Sequence, residues 1–396
     1  MSNLRLCMVS PLYHPELGGV GRQAVALTEY LHKIGIDVFV MCRKIKGMPE
    51  WKPATGLRIM QINTLGSSKY DLEAKSIMNL LISLSFCFNL MLAFIKNRKK
   101  YDIVHFHGSS LQLIFNVIPL KLMGKKIAAK VAGAKMDVEA GSFRGKYFLL
   151  GDLFIWILKK VDMFIAITKE IKNDLIKDGF RHDRIFETSN FIMPEKFYPL
   201  ENPEEKYAIK KRLGIEVDKK IITFSGRLVQ RKRVDLLLRA VSKIVKARKD
   251  IRVIILGHGE LLKDLQGMAP ELSIREYISF KGFVSNILDY LHVADIFVLT
   301  SDMEGMPNSL LEAMACRLPV IATRIGGVVD IVEDKKNGLL VAADDEEELK
   351  DAILKLLGDE QLSKSISQEA YRTIRENYYI DKVADKYISL YQRLAA

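Results

Sequence analysis

Two glutamates, Glu304 and Glu312, are separated by seven residues that read Gly-Met-Pro-Asn-Ser-Leu-Leu. Pro307 suits the start of a helix, where its missing N–H costs nothing, and the backbone amides from about Asn308 onward would point at whatever lies before that helix. A diphosphate fits such a helix start. Glu304 would then lie in the preceding loop near the reacting end of a ligand, and Glu312 would reach a ribose. The spacing predicts a site for a nucleotide sugar; the alternative is a pair of carboxylates on a solvated helix face.

The flanking sequence favours the first interpretation. Residues 295–300 form an apolar, strand-like run that leads directly into the loop, and residues 318–323 form another after the helix. A strand, a loop and a helix in this order place the loop at the carboxyl end of a parallel sheet, where open α/β folds bind ligands. The motif and its setting together therefore indicate a binding loop.

A second loop carries basic side chains at an equivalent position. Arg227 and Lys232 follow the strand-like run 220–225, so they would emerge at the same edge of the same sheet. A guanidinium grips a diphosphate in a fork, and an ammonium adds a point charge. The alternative is a solvated basic turn.

The first half of the chain has its own glycine-rich loop. Residues 11–22 follow a strand-like run and end at a helix, with Gly18 and Gly19 where a backbone could approach a phosphate closely. The spacing is not Gly-x-Gly-x-x-Gly with a later acidic residue, which argues against a nicotinamide dinucleotide. A tight strand-to-helix turn is the alternative.

Two histidines occupy the strand-like run 103–107. We interpret His105 and His107 as facing opposite sides of the sheet, so that only His107, at the strand end, could reach a ligand. A catalytic role for His107 is one hypothesis. A structural histidine is the other.

The whole chain alternates strand-like and helix-like segments, which is typical of parallel sheets covered on both faces. We therefore predict an α/β protein with two facing Rossmann-like domains and a donor cleft between them. Residues 1–196 would form the N-terminal acceptor domain and residues 197–375 the C-terminal nucleotide-sugar domain. Residues 376–396 would form a helix that packs back on the first domain. The helical pattern of 365–394 has a possible break at 377–379.

The charge is divided unevenly along the 396 residues. Residues 1–200 hold 29 Lys and Arg against 17 Asp and Glu, whereas residues 201–396 hold 31 of each. A basic half suggests an anionic partner, such as a phosphate-bearing acceptor or a membrane surface. No nucleic-acid-binding motif accompanies the charge, so we expect no nucleic acid. The four cysteines lack metal-ligand spacing and no secretory signal is recognisable, which suits a reducing cytosol.

The apolar segment 76–95 approaches the length of a membrane span. Asn79, Ser83, Ser85 and Asn89 interrupt it, and a strand-like run follows at once, as a crossover helix in an α/β domain requires. We therefore interpret it as a buried or interfacial helix rather than a transmembrane one.

Taken together, these features resemble the retaining nucleotide-sugar glycosyltransferases of glycosyltransferase family 4 (glycosyl transferases group 1), which have the GT-B fold. The resemblance runs over nearly the whole chain. Its specific element is Glu304 to Glu312 with the following Ala313-Met314-Ala315. The supporting elements are the Gly18-Gly19 loop, the strand 102–107, Gly226-Arg227-Leu228 with Lys232, and Gly326-Gly327 leading to 337–341.

The resemblance implies a role for each matching residue. Glu304 would contact the transferred sugar, Glu312 would bind the ribose, and the chain near Val284 would approach the base. The implied donor-binding set is Gly18, Gly19, Arg227, Lys232, Val284, Gly305, Asn308, Ser309, Leu310 and Glu312. The sugar would be transferred with retention through an oxocarbenium-like transition state, and the leaving phosphate would take the acceptor proton. Cations and helix amides would stabilise the developing charge, so no metal or other cofactor is expected.

The sequence departs from the family pattern at three positions. Ala132 stands where many members have a histidine, so a catalytic histidine is not carried over there. The loop reads Glu304-Gly305-Met306-Pro307 where Glu-Gly-Phe-Gly is more common. Arg233 stands where a glycine often follows the lysine, and its charge would face either the phosphates or solvent.

From these observations we expect a cytoplasmic glycosyltransferase, peripheral at the inner membrane surface through its basic N-terminal domain. Its donor would be a UDP-sugar, and its acceptor a lipid-linked or polysaccharide glycan of the cell envelope. The basic and aromatic loop 141–148 is a candidate acceptor site or a plain surface loop. A nucleotide-sugar 2-epimerase-like isomerase would interconvert sugars without an acceptor. A non-catalytic nucleotide-sugar binding subunit is conceivable because of Ala132.

Overall fold

The computed structural model describes residues 4–13, 18–45, 56–66, 77–108, 111–131 and 151–396. The chain forms two units: unit 1 comprises Met1–Asn190 and Ile380–Ala396, and unit 2 comprises Phe191–Tyr379. The sequence-based boundaries at 196/197 and 375/376 lie a few residues away from these divisions. The candidate loop 141–148 and Ala132 lie outside the described residues.

Unit 1 is built on a parallel sheet in the order β3-β2-β1-β4-β5-β6-β7. Its strands are β1 (Arg5–Val9), β2 (Asp37–Arg43), β3 (Arg58–Ile62), β4 (Ile103–His107), β5 (Lys126–Val131), β6 (Met163–Ala166) and β7 (Ile185–Glu187). Its helices are α1 (Gly18–Lys33), α2 (Ile77–Asn97), α3 (Leu111–Leu122), α4 (Gly151–Leu158), α5 (Lys169–Lys177) and, from the far end of the chain, α14 (Ile380–Ala395).

Unit 2 repeats the arrangement with the order β10-β9-β8-β11-β12-β13, again all parallel. Its strands are β8 (Lys220–Ser225), β9 (Ile251–Leu256), β10 (Ile278–Gly282), β11 (Ile296–Leu299), β12 (Val320–Thr323) and β13 (Leu339–Val341). Its helices are α6 (Pro203–Arg212), α7 (Val234–Ala247), α8 (Leu262–Glu271), α9 (Ile287–Val293), α10 (Asn308–Ala315), α11 (Gly326–Val329), α12 (Glu346–Gly358) and α13 (Glu360–Asn377). Short 3₁₀ turns lie at His182–Arg184, Gln230–Lys232 and Arg275–Tyr277.

Both sheets have the Rossmann strand order, in which the first strand stands in the middle and the chain reverses direction beside it. The central strands are buried along their length, as in β4 and β11, because helices cover both faces of a parallel sheet. The predicted α/β class with two Rossmann-like domains is confirmed. The predicted break in the last helical segment is also confirmed, since α13 ends at Asn377 and α14 begins at Ile380. Cys7, Cys42, Cys87 and Cys316 are free and buried.

Two strands, β7 and β13, are not predicted by the sequence pattern. Each has only three residues, which is too short for a hydrophobic period to be read. The apolar segment forms α2, as expected for a helix. Among the described residues, 78–97 is the one helix stretch that is long and apolar enough to cross a membrane by length and composition, and 33% of that window is buried.

Candidate functional site

The predicted binding loop of unit 2 lies at the topological switch point of its sheet. β8 and β11 are neighbours, and the chain leaves β8 towards β9 but leaves β11 towards β12. Loops that leave adjacent parallel strands in opposite directions open a crevice at the carboxyl edge, which is where such folds bind ligands. The loop after β8 carries Arg227 and Lys232, and the loop after β11 carries Glu304.

Hydrogen bonds join these two loops directly. The Asp302 backbone N–H donates to the Arg231 carbonyl at 2.9 Å, and the Thr300 hydroxyl donates to the Lys232 carbonyl at 2.9 Å. The Arg231 guanidinium donates to the Met303 carbonyl at 3.3 Å. The two loops are therefore held as one surface, and a ligand that contacts one loop lies beside the other.

A buried ion pair lies at the centre of this surface. The Lys232 ammonium donates to Oε1 of Glu304, and the two residues are 8% and 7% exposed. The Ser301 hydroxyl donates to the same oxygen at 2.7 Å, and Nη1 of Arg231 lies 3.6 Å from Oε2. Burial lowers the pKa of Lys232, and the Glu304 carboxylate opposes that shift. Glu304 is thus surrounded by two cations and a hydroxyl.

The solvated-face alternative for the two glutamates is wrong. Glu312 is 4% exposed inside α10, and Glu304 is nearly as buried. Charged side chains are rarely buried unless they are paired or serve a site. Lys232 is buried as well, whereas Arg227 is exposed, so the solvated-turn alternative is excluded for Lys232 alone.

The helix start predicted to face a diphosphate is α10. Pro307 is its N-cap residue, one position before the helix, and the cap has no side-chain hydrogen bond. The amides of Leu310 and Leu311 both donate to the Pro307 carbonyl, at 3.2 Å and 3.3 Å. A helix whose first turn is not capped by a side chain keeps a positive end that attracts anions.

Two glycines that sequence analysis did not single out as contacts hold this edge together. A Cβ built on Gly327, in α11, would lie 1.2 Å from the Gly305 carbonyl oxygen. A Cβ on Gly257, after β9, would lie 1.8 Å from the Gly226 carbonyl oxygen, and Gly257 has φ +136°. Only glycine permits these approaches. Gly326-Gly327 contributed to the family resemblance, but its backbone contact could not be read from the sequence.

Arg233 explains why glycine is common at its position. Arg233 immediately precedes α7 and has a φ of 45°. This is the left-handed backbone conformation, which glycine adopts most easily. Its guanidinium bonds to Asp235, Asp302 and Asp344. The charge of Arg233 is therefore neutralised by three carboxylates.

Val284, predicted near the base, follows β10 at the edge of the sheet. It is partly buried and packs against the core cluster that includes Leu256 and Tyr290. One strand, β9, lies between β10 and β8. Val284 therefore lies at the same carboxyl edge, farther from the switch point than Lys232.

Unit 1 has its own switch point between β1 and β4. Gly18 begins α1 with φ 77°, and Gly19 follows it in the first turn. His107 ends β4. The two predicted features of this unit are thus on neighbouring strands at the same edge, although residues 14–17 of the glycine loop lie outside the described residues.

The prediction that His105 and His107 face opposite sides is wrong. Residues two positions apart on a strand point to the same face, and the two imidazole rings lie 4.6 Å apart between centroids. Nδ1 of His105 is 2.7 Å from the Tyr391 hydroxyl on α14. Within the described part of the chain, neither ring nitrogen of the buried His107 has a hydrogen-bond partner. Burial lowers the pKa of both histidines, that of His105 to about 3, so both are neutral.

Lys130, on β5, is a site feature that sequence analysis missed. It pairs in register with His107, is 2% exposed, and donates from Nζ to Oδ1 of Asn190 at 2.9 Å. Burial lowers the pKa of Lys130 to about 7. The position reads as a strand interior, and the sequence gives no sign of the amide partner 60 residues away.

The titration of Lys130 predicts a pH-dependent stability. Its pKa in the folded state lies below the unfolded value of 10.5, so between about pH 7 and pH 10.5 the unfolded chain binds a proton that the folded chain lacks. Stability should therefore rise with pH across that window, by at most about 1.4 kcal/mol per pH unit from this group. Urea unfolding of the wild type and Lys130→Met between pH 6.5 and pH 9.5 measures this. The free energy of unfolding of the wild type should rise relative to that of the variant as pH rises; a difference that stays constant with pH would contradict the assignment.

In the part of the chain that the structure describes, no group of three or more His, Cys, Asp or Glu side chains is placed to hold a metal ion. Metal independence stays a prediction.

Comparisons with known proteins bear on this fold and site. The family profile for Glycosyltransferase Family 4 matches residues 17–196, and that for Glycosyl transferases group 1 matches residues 205–373. An Escherichia coli UDP-Gal:α-D-GlcNAc-diphosphoundecaprenol α-1,3-galactosyltransferase is 26% identical over 95% of each chain. N-acetyl-α-D-glucosaminyl L-malate synthase of Bacillus anthracis is 24% identical over 76% of this chain and 77% of the relative.

Solved structures show the same fold. The crystal structure of Anabaena HepE in complex with UDP superimposes with a TM-score of 0.79 at 15% identity, over 98% of this chain and 100% of that one. The fold and its paired switch-point loops define a GT-B glycosyltransferase. The chain belongs to glycosyltransferase family 4, as the two profiles, which together span most of its length, show.

Proposed function

We propose that the protein transfers a sugar, with retention, from a UDP-sugar to a lipid-linked or polysaccharide acceptor of the cell envelope. The observation that carries the proposal is the buried Lys232–Glu304 pair at the switch point, beside the uncapped start of α10. The relatives support the donor and acceptor classes by name: one uses UDP-galactose and a diphosphoundecaprenol-linked sugar, and one structural neighbour was solved with UDP.

In this proposal Lys232 and Arg227 hold the donor diphosphate, and the positive end of α10 at Asn308 and Ser309 completes the anion site. The buried carboxylate of Glu312 accepts hydrogen bonds from the ribose hydroxyls. Glu304, held by Lys232 and Ser301, contacts the transferred sugar. Val284 approaches the base, and Gly18, Gly19 and Gly305 allow the backbone to come close to the donor.

The reaction breaks the bond between the anomeric carbon and the diphosphate oxygen, and it forms a bond from that carbon to the acceptor oxygen. Charge develops on the leaving diphosphate, where Lys232, Arg227 and the helix amides stabilise it. The proton of the acceptor hydroxyl passes to the leaving phosphate. No side-chain base is required, so His107, buried and neutral, is proposed as a neighbour of the reacting sugar and not as a proton acceptor.

Nucleotide binding tests the donor site without knowledge of the acceptor. A ligand that binds only the folded protein stabilises it and so raises its melting temperature. At a ligand concentration of 100 times the Kd, the free energy of unfolding increases by about 2.7 kcal/mol. We expect UDP and UDP-sugars to raise the melting temperature, and GDP and ADP to do so much less. Glu312→Gln should remove most of the shift because it weakens the ribose contact.

The control is Glu271→Ala, which removes an exposed glutamate from α8 in the same unit. It should keep the full UDP response. Equal shifts with all three nucleotides, or an unchanged shift in Glu312→Gln, would contradict the proposed donor site.

A further inference from the structure

The helix α2 is apolar on two opposite faces. One face, formed by Ile82, Phe86, Leu90 and Phe94, is buried inside unit 1. The other carries a row of large apolar side chains at helical spacing that are 44% to 61% exposed: Met78, Leu81, Phe88, Leu92 and Ile95. A surface helix of a soluble protein normally presents polar residues outward. The outer row is therefore an unexplained feature of the fold.

The exposed apolar surface continues onto the neighbouring helices. α2 packs against α3, and α3 packs against α4. Right-handed crossovers from β3 to β4, β4 to β5 and β5 to β6 place these three helices on one side of the sheet. Phe115 and Leu122 on α3 and Leu153 and Trp156 on α4 are all exposed, Leu122 to 84%. We call the outer side chains of α2, α3 and α4 the helical face.

Such a surface is larger than scattered exposure would produce. Isolated exposed apolar residues are common and need no explanation, but contiguous patches beyond a few hundred Å² mark sites of interaction. Three adjacent helices each contribute large exposed apolar side chains here, so the helical face is a candidate site of interaction.

The charge around the helical face points to the chemistry of its partner. α2 and α3 contain no carboxylate, and α4 contains only Asp152. Each helix runs into the next parallel strand, so the three helix ends meet at the amino edge of the sheet. Basic residues cluster at these ends: Lys96 in the last turn of α2 with Arg98, Lys99 and Lys100 after it, Lys121 in the last turn of α3 with Lys125 and Lys126 after it, and Lys159 and Lys160 after α4.

The carboxylates at that edge do not cancel this charge. Asp102 is paired with Arg5 at 2.7 Å, and Asp162 with Lys121 at 2.8 Å, which leaves the exposed Lys96, Arg98 and Lys99 in excess. Trp156 lies under the Lys160 ammonium, 4.1 Å from its ring centroid. An apolar face with a basic border and an exposed Trp-Lys pair fits the boundary between the acyl chains and the anionic headgroups of a bilayer.

We propose that the helical face docks on an anionic lipid bilayer, with α2 lying in the plane of the interface. The outer row of α2 and the exposed side chains of α3 and α4 enter the acyl boundary, and the basic helix ends contact the headgroups. The inference deepens the proposed function and rests on it for its purpose, because a lipid-linked acceptor is reached from that surface. The lipid binding itself depends on the helical face alone.

A transmembrane α2 is incompatible with the packing. Phe94 contacts Phe106 of β4 with ring centroids 6.1 Å apart, and the Tyr101 hydroxyl donates to the Phe94 carbonyl at 2.9 Å. A helix that crossed the bilayer would have to give up these contacts and uncover the sheet. In-plane binding keeps them.

Vesicle co-sedimentation of the full chain tests the docking. The wild type should bind phosphatidylcholine vesicles that contain phosphatidylglycerol, less so as salt is raised, because salt screens exposed charges. Phe88→Asp with Leu92→Asp should lower the bound fraction roughly tenfold or more, since acidic side chains would enter the acyl boundary. The matched control, Tyr207→Asp with Val217→Asp, changes two exposed apolar residues of unit 2 and should bind like the wild type.

The basic border is tested separately. Arg98→Gln with Lys99→Gln should weaken binding to vesicles that contain phosphatidylglycerol, whereas Lys246→Gln with Lys263→Gln, two exposed lysines of unit 2, should not. Unchanged vesicle binding by the Phe88/Leu92 variant would overturn the proposal. So would resistance of the bound protein to extraction with alkaline carbonate, which would mean that α2 spans the bilayer. The proposal would also fail if neither protein bound vesicles and the wild type formed a dimer that the Phe88/Leu92 variant abolished. The UDP thermal shift uses no lipid, so failure of the donor site and failure of the docking surface are distinguishable.

Discussion

Lys232→Met is expected to lower the free energy of unfolding by about 3–5 kcal/mol, because it leaves the Glu304 carboxylate buried without its closest cation. Glu304 is 7% exposed, and Arg231, 3.6 Å from its other oxygen, cannot replace a direct hydrogen-bonded partner. Urea unfolding at neutral pH measures the loss. The same variant should lose the UDP-induced rise in melting temperature.

The matched control is Lys336→Met, which breaks an exposed pair with Glu333 in the same unit. Exposed pairs contribute about 0–1 kcal/mol, so its stability should change little. A Lys232→Met variant that is no less stable than Lys336→Met would show that the pair does not stabilise the folded protein.

The double variant Lys232→Met with Glu304→Leu separates folding from function. Replacing both members of a buried pair by apolar residues is often neutral or stabilising. We expect its stability to recover most of the loss seen in Lys232→Met, while sugar transfer and the UDP response stay absent. Recovery of both stability and the UDP response would remove Lys232 and Glu304 from the proposed donor site.

Gly327→Ala is the second substitution with a large expected effect. Its Cβ would lie 1.2 Å from the Gly305 carbonyl oxygen, so the backbone of one of the two loops must move. Adding a methyl group to a well-packed site lowers the free energy of unfolding by about 1–3 kcal/mol and occasionally more. Because the added methyl group would clash with backbone atoms here, we expect a loss of at least about 3 kcal/mol. Because Gly305 follows Glu304 directly, the UDP-induced thermal shift should fall with the stability.

The control is Gly267→Ala, which makes the same substitution at an open position. It should raise the free energy of unfolding, whereas Gly327→Ala should lower it. Gly267 lies inside α8 and is exposed, and a Cβ added to it would meet no atom within 4 Å. Alanine in place of glycine in a helix interior stabilises by about 0.5–1 kcal/mol. If both variants changed stability in the same direction and by a similar amount, the Gly327–Gly305 contact would not be the cause.

The sequence was sufficient for the fold class because its strand-like runs are long and apolar. β4 and β8 begin and end where the hydrophobic pattern predicts, since parallel strands buried on both faces are continuous apolar segments. β7 and β13 have three residues each and could be found only through their pairing with β6 and β12.

For the candidate site, the sequence was enough to predict which loops lie side by side. It was not enough to predict which side chains form pairs. Strand order places the loops after β8 and β11 side by side, yet the bond between Lys232 and Glu304 joins residues 72 positions apart. The pairing of Lys130 with Asn190 has the same origin. Such partners are set by tertiary packing, and nothing in the local sequence of either residue records them.

The error over His105 and His107 was different in kind. The two-residue period of a strand itself places both imidazoles on one face, so their shared face could have been predicted from the sequence. Their shared burial against α14, where Tyr387 and Tyr391 lie 5.7 Å and 5.9 Å from His105 between ring centroids, required the fold.

That packing has a consequence for the order of events during synthesis. Unit 2 is one continuous stretch, 191–379, whereas unit 1 receives α14 only after unit 2 has been made. Until then the face of β4 that carries His105 and His107 lacks its cover. Contacts between residues far apart in the chain form slowly because a long loop must close first. Unit 2 should therefore reach protease resistance on the ribosome before unit 1, and nascent chains released before residue 380 should expose the histidine face to chaperones.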